Sequence, residues 1–139
     1  MPTPTLATTT GTSGLRSLPV DPADGFPQSF LLALGDTTYR FDLYVDVPEH
    51  LLDRDADPRT PLDLVGSATQ QAQGMLVGIV VRQSADGTPV QLLRRRLLPG
   101  LLYAAGEVLL VVDEVRIALG NLNAAGSFGS VLTARVGLR

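Results

Sequence analysis

The 139-residue chain has no cysteine, no tryptophan and no lysine, and it has one histidine. Each absence removes a class of chemistry. Without cysteine there are no disulfides, no thiolate nucleophile and no thiolate metal site. A lone histidine, His50, lacks the second imidazole or thiolate that an ordinary transition-metal site needs. No serine or acid can be paired with it from sequence to make a nucleophilic triad, so it reads as a solvated surface residue. Aromatics are 5% of the chain, so the core must be built from Leu, Val and Ala. No apolar run approaches the roughly 18–20 residues of a membrane helix. The first residues carry no basic stretch followed by an apolar one, so no secretory signal is expected, and the protein is expected to be soluble and made in the cytoplasm. All 11 cations are arginine and the net charge is −3. That gives no overall attraction to nucleic acid or to an anionic membrane.

What is present is strand pattern. Hydrophobic residues make up 45% of the chain, enough for one core. From Thr38 the alternation is strict. Tyr39, Phe41, Leu43, Val45 and Val47 share one face; Thr38, Arg40, Asp42, Tyr44 and Asp46 share the other. That period of two is a half-buried strand. The apolar run 29–34 precedes it across a turn at Gly35-Asp36, and the two should form a hairpin. The organising hairpin is 75–102, where two β-rich runs flank Ser84-Ala85-Asp86-Gly87; Asp-Gly is a strong hairpin signal. Its second strand changes apolar phase partway: Val90 and Leu92 fall in line with Arg94 and Arg96, while Leu93 and Leu97 lie opposite with Arg95. A β-bulge, or a strand leaving the core for an interface, would produce this. Residues 107–117 are apolar on both faces through Val112 and should be central or covered on both sides. A glycine-rich connection (GNLNAAG) lacks the strand–turn–helix setting and the lysine of a phosphate loop. Residues 130–138 form a last strand.

The expected fold is therefore mainly β, a small antiparallel β-sandwich or barrel of about six strands. Residues 1–28, rich in Thr, Pro, Gly and Ser, read as an extended N-terminal arm that orders against neighbouring subunits. Residues 29–139 read as the β domain, interrupted by a long loop insert at 48–74. Loops of that length are usually functional or partner-bound.

Candidate interaction residues come from these features. Arg94, Arg95 and Arg96 are the one basic cluster, expected to pair with an acidic surface such as the 46–63 loop of a neighbour. Asp53, Asp55 and Asp57 supply such a surface. Their spacing imitates a calcium loop, but Pro58 stands where an EF-hand needs glycine and the bidentate Glu is missing. Leu15 and Val20 are the apolar anchors of the arm. No catalytic residue, cofactor site or metal site is expected, and the chain does not read as an enzyme.

One further pattern spans roughly residues 30–47 and 75–137. It consists of Leu34-Gly35-Asp36-Thr37-Thr38-Tyr39-Arg40-Phe41, then Asp86-Gly87-Thr88-Pro89, then Leu98-Pro99-Gly100-Leu101-Leu102, then Phe128-Gly129-Ser130-Val131-Leu132-Thr133-Ala134. This order of turns and strands resembles the small baseplate plug proteins of contractile-tailed phages and related injection particles. A tryptophan common before the Asp-Gly turn is absent, and the 48–74 insert and the arm are additional. The resemblance implies a structural virion component in the phage tail or injection particle, assembled in the host cytoplasm. It would be present in multiple copies as a hub, plug or tube-end adaptor among other tail and baseplate proteins. The alternative is an OB-type nucleic-acid-binding β barrel that uses Arg94–Arg96, against which the scarcity of stacking aromatics weighs.

Overall fold

The computed structural model describes residues 14–52 and 55–139. It is mainly β, with two antiparallel sheets packed face to face. Nine strands occur among the described residues: β1 Arg16–Ser17, β2 Gln28–Leu34, β3 Thr37–Asp46, β4 Pro61–Leu62, β5 Met75–Arg82, β6 Val90–Arg96, β7 Leu102–Ala105, β8 Val108–Ala118 and β9 Val131–Leu138. The six long ones are the six expected from pattern. The other three, β1, β4 and β7, hold two to four residues each, too few for a periodicity to register.

One sheet runs β2-β3-β5-β6, and the other runs β1-β9-β8-β4 with β7 also on β8. The β2–β3 hairpin closes at Leu34 opposite Thr37. Gly35 has positive φ (60°), and Asp36 is not among the residues with positive φ. This is the pattern of a type II′ turn, which suits the right-handed strand twist. The β5–β6 connection is wider. The strands end at Arg82 and resume at Val90, with Gly87 N–H donating to the Ser84 carbonyl at 3.0 Å inside the loop.

Strand β8 is central, with β9 on one side and β7 and β4 on the other, and Val108 through Val112 are all buried. The ladder with β9 then slips between Val112 and Glu114. The slip reverses the facing of the second half of the strand, so Val115 and Ile117 rejoin the core that Val108, Leu110 and Val112 began. The β5–β6 ladder slips likewise between Val80 and Val81, leaving Leu92 as the extra residue opposite. The phase change in that strand is this bulge.

The core is Tyr39, Phe41, Leu43, Leu76 and Val80 from one sheet against Val108, Leu110, Val112, Leu132, Ala134 and Val136 from the other. The stretch from 14 to 28 packs as part of the domain: Leu18 and Phe26 are buried in that core, and Leu18 N–H donates to the Ala134 carbonyl at 2.8 Å. Residues 1–13 of the expected arm lie outside the described residues.

The insert is a strap across one end of the sandwich. Its first half runs beside β8: Leu119 N–H donates to the Thr60 carbonyl (2.8 Å) and Gly120 N–H to the Pro58 carbonyl (2.7 Å). Pro61 is accommodated because β4 pairs on one side only. Leu62 and Leu64 then plug the core. The second half, 63–74, closes on itself. Gln73 N–H donates to the Asp63 carbonyl (2.7 Å) and Asp63 N–H donates to Gln73 Oε1 (2.7 Å), which is the closure of an Ω-loop.

Candidate interaction surface

Strand β6 is an edge strand, and its three arginines part company. The ladder sets Arg94 opposite Ile79, Arg95 opposite Gly78 and Arg96 opposite Val77. Successive side chains therefore leave on alternate faces. Arg94 crosses the outer face to the Tyr44 hydroxyl at 3.4 Å. Arg95 turns to the inner rim, its guanidinium 5.1 Å from the Tyr103 ring centroid. The Tyr103 hydroxyl in turn accepts from Leu98 N–H at 2.8 Å and pins the Leu98-Pro99-Gly100 bend. Arg96 reaches across to the insert, donating from Nη2 to the Leu64 carbonyl at 2.9 Å and toward the Val65 carbonyl at 3.4 Å. Its Nε is buried without a hydrogen-bond partner.

Beside Arg96 lies a groove of about 510 Å³ between Asp46–Pro48 and the Ω-loop, with Ser67, Gln70, Gln71 and Gln73 along its wall. The loop that makes this wall is internally braced. Asp63 Oδ1 accepts from Gly66 N–H (2.8 Å) and Val65 N–H (3.1 Å). These bonds, with a smaller contribution from the Arg96 charge, hold the Asp63 carboxyl below its usual range. Ser67 Oγ accepts from Gln70 N–H (3.0 Å).

The outer face of this sheet is unusual. Met75, Val77, Ile79 and Val81 run down β5, and Val77 and Val81 are buried although they face away from the core cluster. Arg94 and Tyr44, meeting across β5, lie over this stripe; arginine stems can cover apolar surface in this way while the charge stays wet.

The remaining expected interaction residues sit apart. Asp55 and Asp57 are exposed in the strap, where Asp57 Oδ1 accepts from Arg59 N–H at 2.9 Å. Asp53 lies outside the described residues. Leu15 rests on Gly137, where a β-carbon would fall 2.7 Å from Leu15 Cδ2 and would push that side chain aside. Val20 packs against the core. The arm's two apolar anchors are thus engaged within the chain. His50 is exposed in a 3₁₀ turn over Glu49–Leu51. Among the described residues no three acidic, histidine or cysteine side chains converge.

Two clusters that sequence reasoning missed hold the molecule together. At the end away from the strap, Tyr39 of β3 donates its hydroxyl to Glu107 Oε2 at 2.7 Å. Arg82 of β5 donates from Nη1 to both Glu107 oxygens at 2.8 and 2.9 Å. Burial, then the bond to Glu107, pushes the Tyr39 phenol up to about 12. The bonds from Tyr39 and Arg82 pull the Glu107 carboxyl down to about 2. Near neutrality neither group exchanges a proton, so this arrangement clamps two sheets rather than moving protons. The second cluster is Asn121, a fully buried polar side chain. It accepts from Ser130 Oγ (2.7 Å) and donates to the Gly126 carbonyl (2.8 Å), while Ser130 Oγ accepts from Ala118 N–H (2.7 Å). The glycine-rich connection is a turn ordered around this residue. The clamp's members are 25 to 68 residues apart, and no local pattern could have joined them.

No protein-family model, curated protein or solved structure matches this chain.

Proposed function

We propose that this chain is a structural component of a phage tail or phage-like contractile injection particle, a hub, plug or tube-end adaptor that joins central tail proteins and acts without catalysis. The observation that carries the reading is where the four resembled segments fall. Leu34–Phe41 is the type II′ hairpin, and Asp86–Pro89 is the β5–β6 turn. Leu98–Leu102 is the bend pinned by Tyr103, and Phe128–Ala134 is the entry to β9. The turns of the resembled pattern therefore join successive strands of one sandwich in the expected order, and this supports the reading.

The surface fits the same role. Arginine and tyrosine over an apolar stripe, next to an amide-lined groove, are the residue types enriched where proteins dock. The OB-type alternative needs a continuous basic track with stacking aromatics. Here Arg94, Arg95 and Arg96 leave in three directions, each toward a group of its own chain.

The test is sedimentation of a native lysate through a density gradient, following this chain by mass spectrometry. Migration with very large particles, alongside tube- and sheath-like proteins, is expected. Recovery only at monomer or small-oligomer size overturns the reading.

A further inference from the structure

The four-stranded sheet ends on one side in β2, and no strand among the described residues pairs with this edge. Because the two-residue turn makes Leu34 and Thr37 the closing pair, Leu34, Leu32, Phe30 and Gln28 exchange peptide hydrogen bonds with β3. The N–H and C=O groups of Ser29, Leu31 and Ala33 then point the other way. Arg16 confirms that parity by donating from Nη2 to the Ala33 carbonyl at 2.5 Å from the open side. The strand is seven residues long with no charge, no proline and no bulge. Leu31 is 64% exposed, more than any other large hydrophobic residue among the described ones. Phe30 and Leu32 are only partly covered by the core. The opposite edge, β6, carries three arginines and a bulge, the devices by which proteins stop strand edges from pairing.

We propose that β2 pairs antiparallel with β2 of a second copy of this chain, in the register centred on Leu31. Gln28 then faces Leu34 of the other copy, Ser29 faces Ala33, Phe30 faces Leu32, and Leu31 meets Leu31. A two-fold axis normal to the sheet preserves its faces, so core-facing residues meet core-facing ones and the two exposed leucines cover each other. A second copy is the occupant because this strand is its own complement. Ser29 with Ala33 is small with small, Phe30 with Leu32 and Leu31 with Leu31 are apolar with apolar, only Gln28 with Leu34 at the ends is mixed, and no charges are opposed. The same operation on β6 would bring arginine strands together. The Ala33 carbonyl keeps a second lone pair for the new ladder beside Arg16. The result is one continuous eight-stranded sheet. The inference does not depend on the injection-particle reading.

A seven-residue edge buries less than the roughly 800 Å² per partner of a standard interface. Self-association is therefore expected at roughly 10–100 µM rather than at nanomolar concentration. Since the chain has no cysteine, single cysteines report the register directly. A hydrogen-bonded antiparallel pair places its Cα atoms about 5.5 Å apart, inside the range of about 4.4–6.8 Å that a disulfide spans. Mild oxidation of the full chain carrying Leu31→Cys at about 100 µM is expected to give a covalent dimer. Ser29→Cys, whose mates lie roughly 14 Å apart in this register, is not, and neither is Val90→Cys on the β6 edge. The double variant Ser29→Cys/Ala33→Cys is expected to cross-link again.

In sedimentation equilibrium the native chain should rise above its monomer mass of 14.7 kDa with concentration, and Leu31→Lys should stay at it. A native chain that remains monomeric throughout overturns the proposal. So does oxidation that links Ser29→Cys or Val90→Cys as fast as Leu31→Cys, and so does a Leu31→Lys variant that still self-associates. None of these outcomes bears on whether the chain travels with large particles in a lysate.

Discussion

The two ends of the sandwich are closed by opposite means. At one end the sheets are tied by a polar clamp, Tyr39 and Arg82 on Glu107. At the other the strap lowers Leu62 and Leu64 into the core and is gripped from outside by Arg96. The clamp uses three residues already on strands or at a hairpin turn and needs no extra chain. The apolar end needs an insert of some 27 residues, bounded by 48 and 74, to deliver two leucines. A clamp gains strength from geometry and is sensitive to protons. A plug gains it from area removed from water and is not. The insert therefore has a structural task in its first half. That task extends to Leu64; the rest of the Ω-loop, with its groove, presents exposed surface.

The largest expected effect is at the apolar end. Leu64→Ala should cost about 2–4 kcal/mol through lost transfer energy and the cavity left behind, read by chemical denaturation at pH 7. Tyr39→Phe at the clamp removes one bond to a charged acceptor and should cost about 1–2 kcal/mol. If the order is reversed, the contrast between the ends fails.

The clamp should write a pH signature at both ends of the scale, whereas the depressed Asp63, Asp86 and Asp113 carboxyls add to the acid limb only. Glu107 is depressed to about 2, so its stabilisation is complete above the unfolded carboxyl value near 4.3. It fades as pH falls toward 2. Tyr39 is raised to about 12, so its share is complete below about 10 and fades as pH climbs toward 12. Glu107→Gln should cost about 1 kcal/mol or less at neutrality and should flatten the acid limb, while Leu64→Ala should leave both limbs parallel to those of the native chain. Thermal melts between pH 2 and 7 would show it. Smallest of all, Arg94→Ala should shift stability by about 0.5 kcal/mol or less, because its bond to Tyr44 is long at 3.4 Å.

Much of this architecture is readable from sequence where a single strand carries its own instruction. The alternation of 38–46 marks β3, the unbroken apolar run of 108–112 marks the central strand, and the phase change around Leu92 marks a bulge. The matching slip at Asp113 was equally available: apolar residues at 108, 110 and 112 continue at 115 and 117, one residue out of phase. What could not be read is what distant segments do to each other. Leu18 and Phe26 sit among Pro, Gly and Asp, a composition that argues for an arm, and they become core only because β9 and the 119–123 turn are there to receive them. Leu62 and Leu64 are disguised in the same way by their proline and aspartate neighbours. The arginine triplet looks like one site in sequence, yet the pleat and the opposite contacts make it three.

The weave of the two sheets has a consequence for how the chain is made. In chain order, strands go to the sheets as β1, then β2 and β3 across, β4 back, β5 and β6 across, and β7 to β9 back. When the ribosome has released residue 96, every strand of the β2-β3-β5-β6 sheet exists. The inner surface of that sheet still waits for Val108, Leu110, Leu132 and Val136, which are translated later. During synthesis the chain then holds a complete sheet with one greasy side uncovered, and residues 97–139 act as its lid.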